Sequence, residues 1–385
     1  MRLPWQIAAL VLVALAVAGC DGGDSTGGAD PRREFDIDEV GFVTSGWETD
    51  FAKHSVPLSE FQSGGPPRDG IPPIDDPKPT SQANADEWLS DREPVLVVEV
   101  GEEVRAYPLQ ILVWHEIVND TLGGRPIAVT YCPLCNSSLV FHRRVRGRTL
   151  TFGTTGNLRN SDHVMWDRQT ESWWQQLTAE AVVGELTGTR LKVLPSQALS
   201  WADFKRLHPK GDVLSRDTGV RRDYGQNPYE GYDDPDSEPF LFEGDADDRL
   251  PPKERVVAVF TEGDTVVVPF SRLARDPAVE LDAGGLPVVV FYKRGVVSPL
   301  DATAIADSRD VGTAAAFDRR VDGRTLSFER RGDGFIDRET GSQWDFAGRA
   351  VEGELAGARL PPVRNDQQFW FALAAFLPDA RIVGR

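Results

Sequence analysis

The stretch Phe141-His142-Arg143-Arg144-Val145-Arg146-Gly147-Arg148-Thr149-Leu150-Thr151-Phe152 returns later in the chain as Phe317-Asp318-Arg319-Arg320-Val321-Asp322-Gly323-Arg324-Thr325-Leu326-Ser327-Phe328. Asp167-Arg168-Gln169-Thr170-Glu171-Ser172-Trp173-Trp174 returns as Asp337-Arg338-Glu339-Thr340-Gly341-Ser342-Gln343-Trp344, and Gly184-Glu185-Leu186-Thr187-Gly188 as Gly353-Glu354-Leu355-Ala356-Gly357. The run 95–100 has a counterpart in 256–260. Matches kept in one order mark a duplicated unit. The expected fold is therefore α+β: two pseudo-symmetric copies, 94–212 and 254–385, of a mixed, mainly antiparallel β-sheet unit with short helices. In the first copy, strands are expected at 95–100 and 104–107, then a helix-like segment at 109–118 and a buried strand at 126–131. A hairpin follows around Arg146-Gly147, and later a helix at 201–207 capped by Ser200. Ahead of these units lies a loop-rich N-terminal arm, 35–93, and between them an acidic connector, 213–253.

A duplication supplies its own control, because residues kept in both copies serve the fold and residues found in one copy are free for chemistry. Asp167, Arg168, Thr170, Ser172 and Trp174 persist as Asp337, Arg338, Thr340, Ser342 and Trp344. They are read as structural, with Asp167 and Arg168 as a turn-fixing ion pair. Tyr131-Cys132-Pro133-Leu134-Cys135, by contrast, faces Tyr292-Lys293-Arg294-Gly295-Val296, and Trp114-His115-Glu116 faces Arg275-Asp276-Pro277. Most of the loop 157–165 has no counterpart. The one-copy set is His115, Glu116, Asn119, Cys132, Cys135, Asn136, Asn160, Asp162, His163 and Met165. Asn119, Asn136, Asn160 and Asp162 are the substrate-binding candidates, and Met165 reads as packing.

Pro133 ends the apolar run 126–131, so Cys132 and Cys135 sit where a strand stops. A C-x-x-C pair there can close a disulfide, share a metal ion, or exchange thiol for disulfide with a redox partner protein. The exchange reading makes Cys132, Cys135, His115 and Glu116 catalytic, with a His115 imidazolium lowering the pKa of the Cys132 thiol. The metal reading recruits Cys132, Cys135, His115 and His163 for Cu(I) or Zn. The third reading is a non-catalytic structural disulfide.

Compartment bears on the choice. Arg2, the apolar run 7–17 and Val17-Ala18-Gly19-Cys20 have the pattern of an export signal, 1–20, ending in a bacterial lipobox. Cys20 is then the lipid-carrying first residue of a mature, membrane-anchored, extracytoplasmic protein, and 21–34, poor in apolar residues, is a disordered tether. Outside the cytoplasm a cysteine pair tends to be oxidised unless it is buried, metal-bound or kept reduced. The net charge of −18, from 60 acidic and 42 basic residues, repels phosphate backbones and argues against a nucleic-acid partner.

Several motifs together, Gly64-Gly65-Pro66-Pro67, Asp69-Gly70-Ile71-Pro72, Trp114-His115-Glu116-Ile117-Val118-Asn119-Asp120, Tyr131-Cys132-Pro133-Leu134-Cys135-Asn136-Ser137 and Asn160-Ser161-Asp162 through Trp174, resemble the DUF3179 family of bacterial and archaeal proteins. The resemblance runs from about Trp47 to the C-terminus. It implies a relation to selenoproteins at the C-x-x-C, which favours a redox nucleophile over a passive disulfide. Both positions here are cysteine.

Overall fold

The computed structural model describes residues 41–235, 237–243 and 247–384. The lipobox with Cys20 and the tether 21–34 lie outside them. Among the described residues the fold is mixed α+β, built from several mostly antiparallel sheets with short helices. No helix among them is long and apolar enough to cross a membrane.

Strands form where β-branched and aromatic residues alternate or cluster. Pro94–Val100 pairs with Glu103–Pro108, and Ser196–Ser200 flanks the first of these. Arg125–Cys132 lies between Ile117–Leu122 and Ser137–His142 in a second sheet, and Phe152–Arg159, Asp162–Asp167, Trp173–Gln175 and Glu180–Val183 run antiparallel in a third. The C-terminal half holds three sheets of comparable order: Asn365–Phe369 beside Arg255–Thr261 and Asp264–Pro269; Ala278–Ala283, Leu286–Lys293 and Thr313–Asp318; and Phe328–Arg331 through Ala350–Glu352.

The helix expected at 109–118 is shorter. It spans Leu109–His115 and stops at Glu116, whose φ of 57° lies in the left-handed region. The next residues, Ile117 and Val118, are β-branched and pair with Thr130 and Val129 instead. The helix Trp201–Leu207 has the expected cap, with Ser200 Oγ accepting from the Asp203 amide at 3.1 Å.

The Asp167–Arg168 ion pair does not form. Asp167 instead collects donors from its own turn: the Thr170 amide at 2.8 Å, the Thr170 hydroxyl, and Trp174 Nε1 at 2.9 Å. Arg168 turns away to Asp69 and Asp75. The physical reason is that Asp167 is the last residue of its strand and is spent on capping the turn that follows, while Arg168 already belongs to that turn and meets the carboxylates of Asp69 and Asp75. The same bonds occur around Asp337, which accepts from the Thr340 amide and from Trp344 Nε1 at 2.9 Å. Ser172 Oγ takes the Leu186 amide at 2.9 Å, and Ser342 Oγ takes that of Leu355 at 3.0 Å.

Residues ahead of Pro94 extend the sheets that carry the candidate site. Ile74 exchanges backbone bonds with Ile117 and Asn119, Gly64 donates to Gly156, and the Arg68 guanidinium stacks 3.6 Å from the centre of the Trp166 ring. Gly156 has a φ of 77°, and a Cβ there would fall 2.0 Å from the Pro66 carbonyl oxygen. Gly156→Ala is accordingly expected to cost about 1–3 kcal/mol through strain and overpacking. Denaturant unfolding measures it; a loss within a few tenths of a kcal/mol would mean that the segment 64–67 is not held against this strand.

Candidate functional site

Two turns bring the site together. The pairing of Arg125–Cys132 with Ser137–His142 ends at Cys132 opposite Ser137, so 133–136 must reverse the chain within four residues. Asn136 permits this at a φ of 51°, a conformation Asn tolerates better than most residues, and its amide donates to the Pro133 carbonyl at 3.1 Å. Cys135 folds back so that its amide points at Cys132 Sγ, 3.4 Å away. Across from it, Asn160 and Ser161, with φ of 51° and 62°, turn Phe152–Arg159 into Asp162–Asp167 and present Asp162.

Both sulfurs and one Asp162 carboxylate oxygen lie within 4.8 Å of one another. Cys132 is 1% exposed, Cys135 and Asp162 are 0% exposed, and both cysteines are free thiols. Asp162 is held from behind by the Gln175 side-chain amide and, at 3.0 Å, by the Leu177 backbone amide, which leaves its other oxygen 3.6 Å from Cys135 Sγ.

Enclosure governs the charge state. Burial pushes the Cys132 thiol up, and the negative charges of Asp162 and Glu116 push it the same way. Burial raises Cys135 further, and burial also raises Asp162 against the opposing effect of His163 and its amide donors. The lowered thiol pKa expected for Cys132 is thus replaced by a raised one. Two thiolates and a carboxylate in this enclosure need a cation among them to be anionic together.

The histidines divide differently from the expectation. His115 has both ring nitrogens occupied, Nδ1 with the Pro72 carbonyl at 2.7 Å and Nε2 with the Tyr224 hydroxyl at 2.6 Å, and burial lowers its pKa. Neither nitrogen is free for a sulfur or a metal. Glu116 turns instead to His163, whose Nδ1 lies 3.1 Å from Glu116 Oε2 while Nε2 is buried without a partner. Asn119 is fully used in the scaffold, bridging Asp75 and the backbone of Phe152. Asn136 accepts from the Tyr131 hydroxyl, Asn160 forms the turn, and Met165 is buried in the core beside Trp174.

Glu116 and His163 also line a cleft of about 770 Å³, whose other side is formed by 228–232 and 237–241. Burial raises the phenols of Tyr229 and Tyr232 on that side, with smaller upward contributions from Glu116 and Cys132 for Tyr229 and from Cys135 and Cys132 for Tyr232.

A family model described as "Protein of unknown function (DUF3179)" matches residues 68–380. The chain belongs to the DUF3179 family. That match contains every residue of the Cys132–Cys135–Asp162 cluster and of the cleft beyond residue 67, while Cys20 falls outside it. No curated protein and no solved structure matches the chain.

Within this DUF3179 chain, the residues that sequence reasoning passed over are Gln175 and Gln176. Gln175 positions Asp162, and Gln176 bonds Ser137 Oγ at 2.8 Å just beyond the cysteine turn. The repeated motif held the signal: where Gln175 and Gln176 follow Trp174, Asp345 and Phe346 follow Trp344. Tyr229 and Tyr232, in the connector, have no partner in the duplication and no periodicity to reveal them.

Proposed function

We propose that the protein is a metal-binding member of its family, holding a zinc ion between Cys132, Cys135 and Asp162. The observation that carries this is the convergence of two free thiols and a carboxylate within 4.8 Å, all buried. Two sulfurs make the site thiophilic, and the carboxylate oxygen, a hard donor, favours zinc over Cu(I). Gln175 and the Leu177 amide supply the outer hydrogen bonds that orient a ligating carboxylate. Bound zinc would supply Lewis acidity, while the chain itself excludes water and fixes the three donors. Thiol–disulfide exchange is the second reading, supported by the Cys135 amide at Cys132 Sγ. The burial of both sulfurs weighs against it, since exchange needs a partner sulfur to reach them.

The export signal and the lipobox at Cys20 support an extracytoplasmic, lipid-anchored setting for this centre. We also infer two copies of one unit, from the repeated motifs and the matched bonds around Asp167 and Asp337.

The test is elemental analysis with a thiol count on protein purified without chelator. One zinc per chain is expected, absent from Cys132→Ser and bound about 10–100-fold more weakly by Gln175→Ala, a change behind the ligand. Metal-free wild-type protein that takes up no added zinc, or that cycles between dithiol and disulfide with a thiol reductant, would overturn the metal reading.

A further inference from the structure

The cleft beside the cysteine cluster has a lining with a chemical preference of its own. Its walls are largely apolar and aromatic, including Leu134, Tyr229 and Tyr232, and Phe240 stands 51% exposed at its lip. Its rim is acidic. Glu230 and Glu238 are exposed, and Glu116 lies deeper. The single lysine of the lining, Lys253, is already engaged: its ammonium donates to the Tyr232 carbonyl at 2.6 Å and to Ser237 Oγ at 2.7 Å, and it packs 3.8 Å from the Tyr232 ring centre.

One polar atom in this lining has no partner. His163 is 4% exposed; its Nδ1 lies 3.1 Å from Glu116 Oε2, and its Nε2 is buried with no hydrogen-bond partner. An unpartnered polar atom in the wall of a mostly apolar cleft is suited to orient the polar end of a ligand. The Glu116 carboxylate behind the ring fixes its orientation, so Nε2 is held in place before any ligand arrives.

We propose that this cleft binds a small organic cation, an amine with an aromatic or apolar body and a hydroxyl group, whose hydroxyl pairs with His163 Nε2 while the amine faces Glu230 and Glu238. Aromatic walls favour such a cation by ring contact and the acidic rim by charge. The inference stands apart from the zinc centre, because it uses none of the three proposed ligands.

Tyramine is a direct probe, with two comparators: 4-hydroxyphenylacetate, of the same body but anionic, and phenethylamine, which lacks the hydroxyl. Isothermal titration of the full chain is expected to rank tyramine at least about tenfold tighter than either comparator. Glu230→Gln/Glu238→Gln changes only exposed side chains and should narrow the gap to 4-hydroxyphenylacetate. His163→Phe should abolish the gap to phenethylamine while leaving the preference over the anion. Equal binding of all three compounds, or no binding of any, would overturn the proposal. So would a ranking that the rim variant leaves unchanged. Zinc content read on the same samples separates the two readings: a protein that holds zinc but ignores the amines loses the cleft and keeps the metal.

Discussion

Replacing Trp174 with alanine is expected to destabilise the protein by about 3–5 kcal/mol, the usual cost of removing a large buried aromatic. Trp344→Ala should cost about as much, because its surroundings repeat those of Trp174. Each indole is fully buried and meets a phenylalanine edge-on, Phe152 at 5.8 Å in one case and Phe328 at 5.7 Å in the other. Each donates Nε1–H at 2.9 Å to a buried aspartate. Trp→Phe at either site separates the two contributions: it keeps most of the apolar volume and removes one donor from the aspartate, whose same oxygen the Thr170 or Thr340 hydroxyl still reaches, at about 1–3 kcal/mol. Asp167 is already pushed up by burial, and Trp174 is the largest influence holding it down, so Trp174→Phe should raise it further. Urea unfolding of the four variants gives the comparison. A large loss at Trp174 beside a negligible one at Trp344 would contradict the inferred equivalence of the two copies.

The second large effect is one of pH. Asp366 lies on the strand Asn365–Phe369 opposite Ala258, and burial pushes its carboxyl from the ordinary 3.8 up to about 6 against the opposing pull of Arg364 at 3.2 Å. Arg255 lines the same small cavity. The folded state therefore binds this proton more tightly than the unfolded state. The resulting stability is fully present below pH 3.8 and is lost as pH rises through about 6. A rise of that size corresponds to at most about 3 kcal/mol. Asp366→Asn should remove this dependence between about pH 4 and 6 and make the protein more stable than wild type near neutrality. Melting curves of wild type and variant across that range provide the test, and differencing the two cancels the other titrating groups. A variant curve parallel to wild type at every pH would mean that Asp366 does not carry the proton.

The comparison of the repeated sequence motifs brought out Glu116, Cys132, Cys135, Asp162 and His163 together, because the later stretch 254–385 carries other residues where it aligns with them. Which histidine faces which partner was not legible. His115 and Glu116 are neighbours in the chain, but the helix ends between them, and the left-handed turn at Glu116 sends one to Tyr224 and the other to His163. Nothing in the apolar spacing of 109–118 marks that stop, since Ile117 fits a helical stripe and a buried strand equally well. The cleft was illegible for another reason. Half of its wall comes from 228–232 and 237–241, beside which order rests on tertiary contacts such as Asp233 with Arg255 and Arg309 rather than on any local pattern.

The burial of the two sulfurs turns them into a clock. At 1% and 0% exposure neither thiol can meet a reagent such as iodoacetamide while the surrounding shell is closed, so alkylation of the native protein must wait for a local opening. When reclosing outruns the reagent, the ratio of this rate to that of the unfolded chain is an equilibrium constant. Two cysteines thus report how often the shell around the Cys132–Cys135–Asp162 cluster opens.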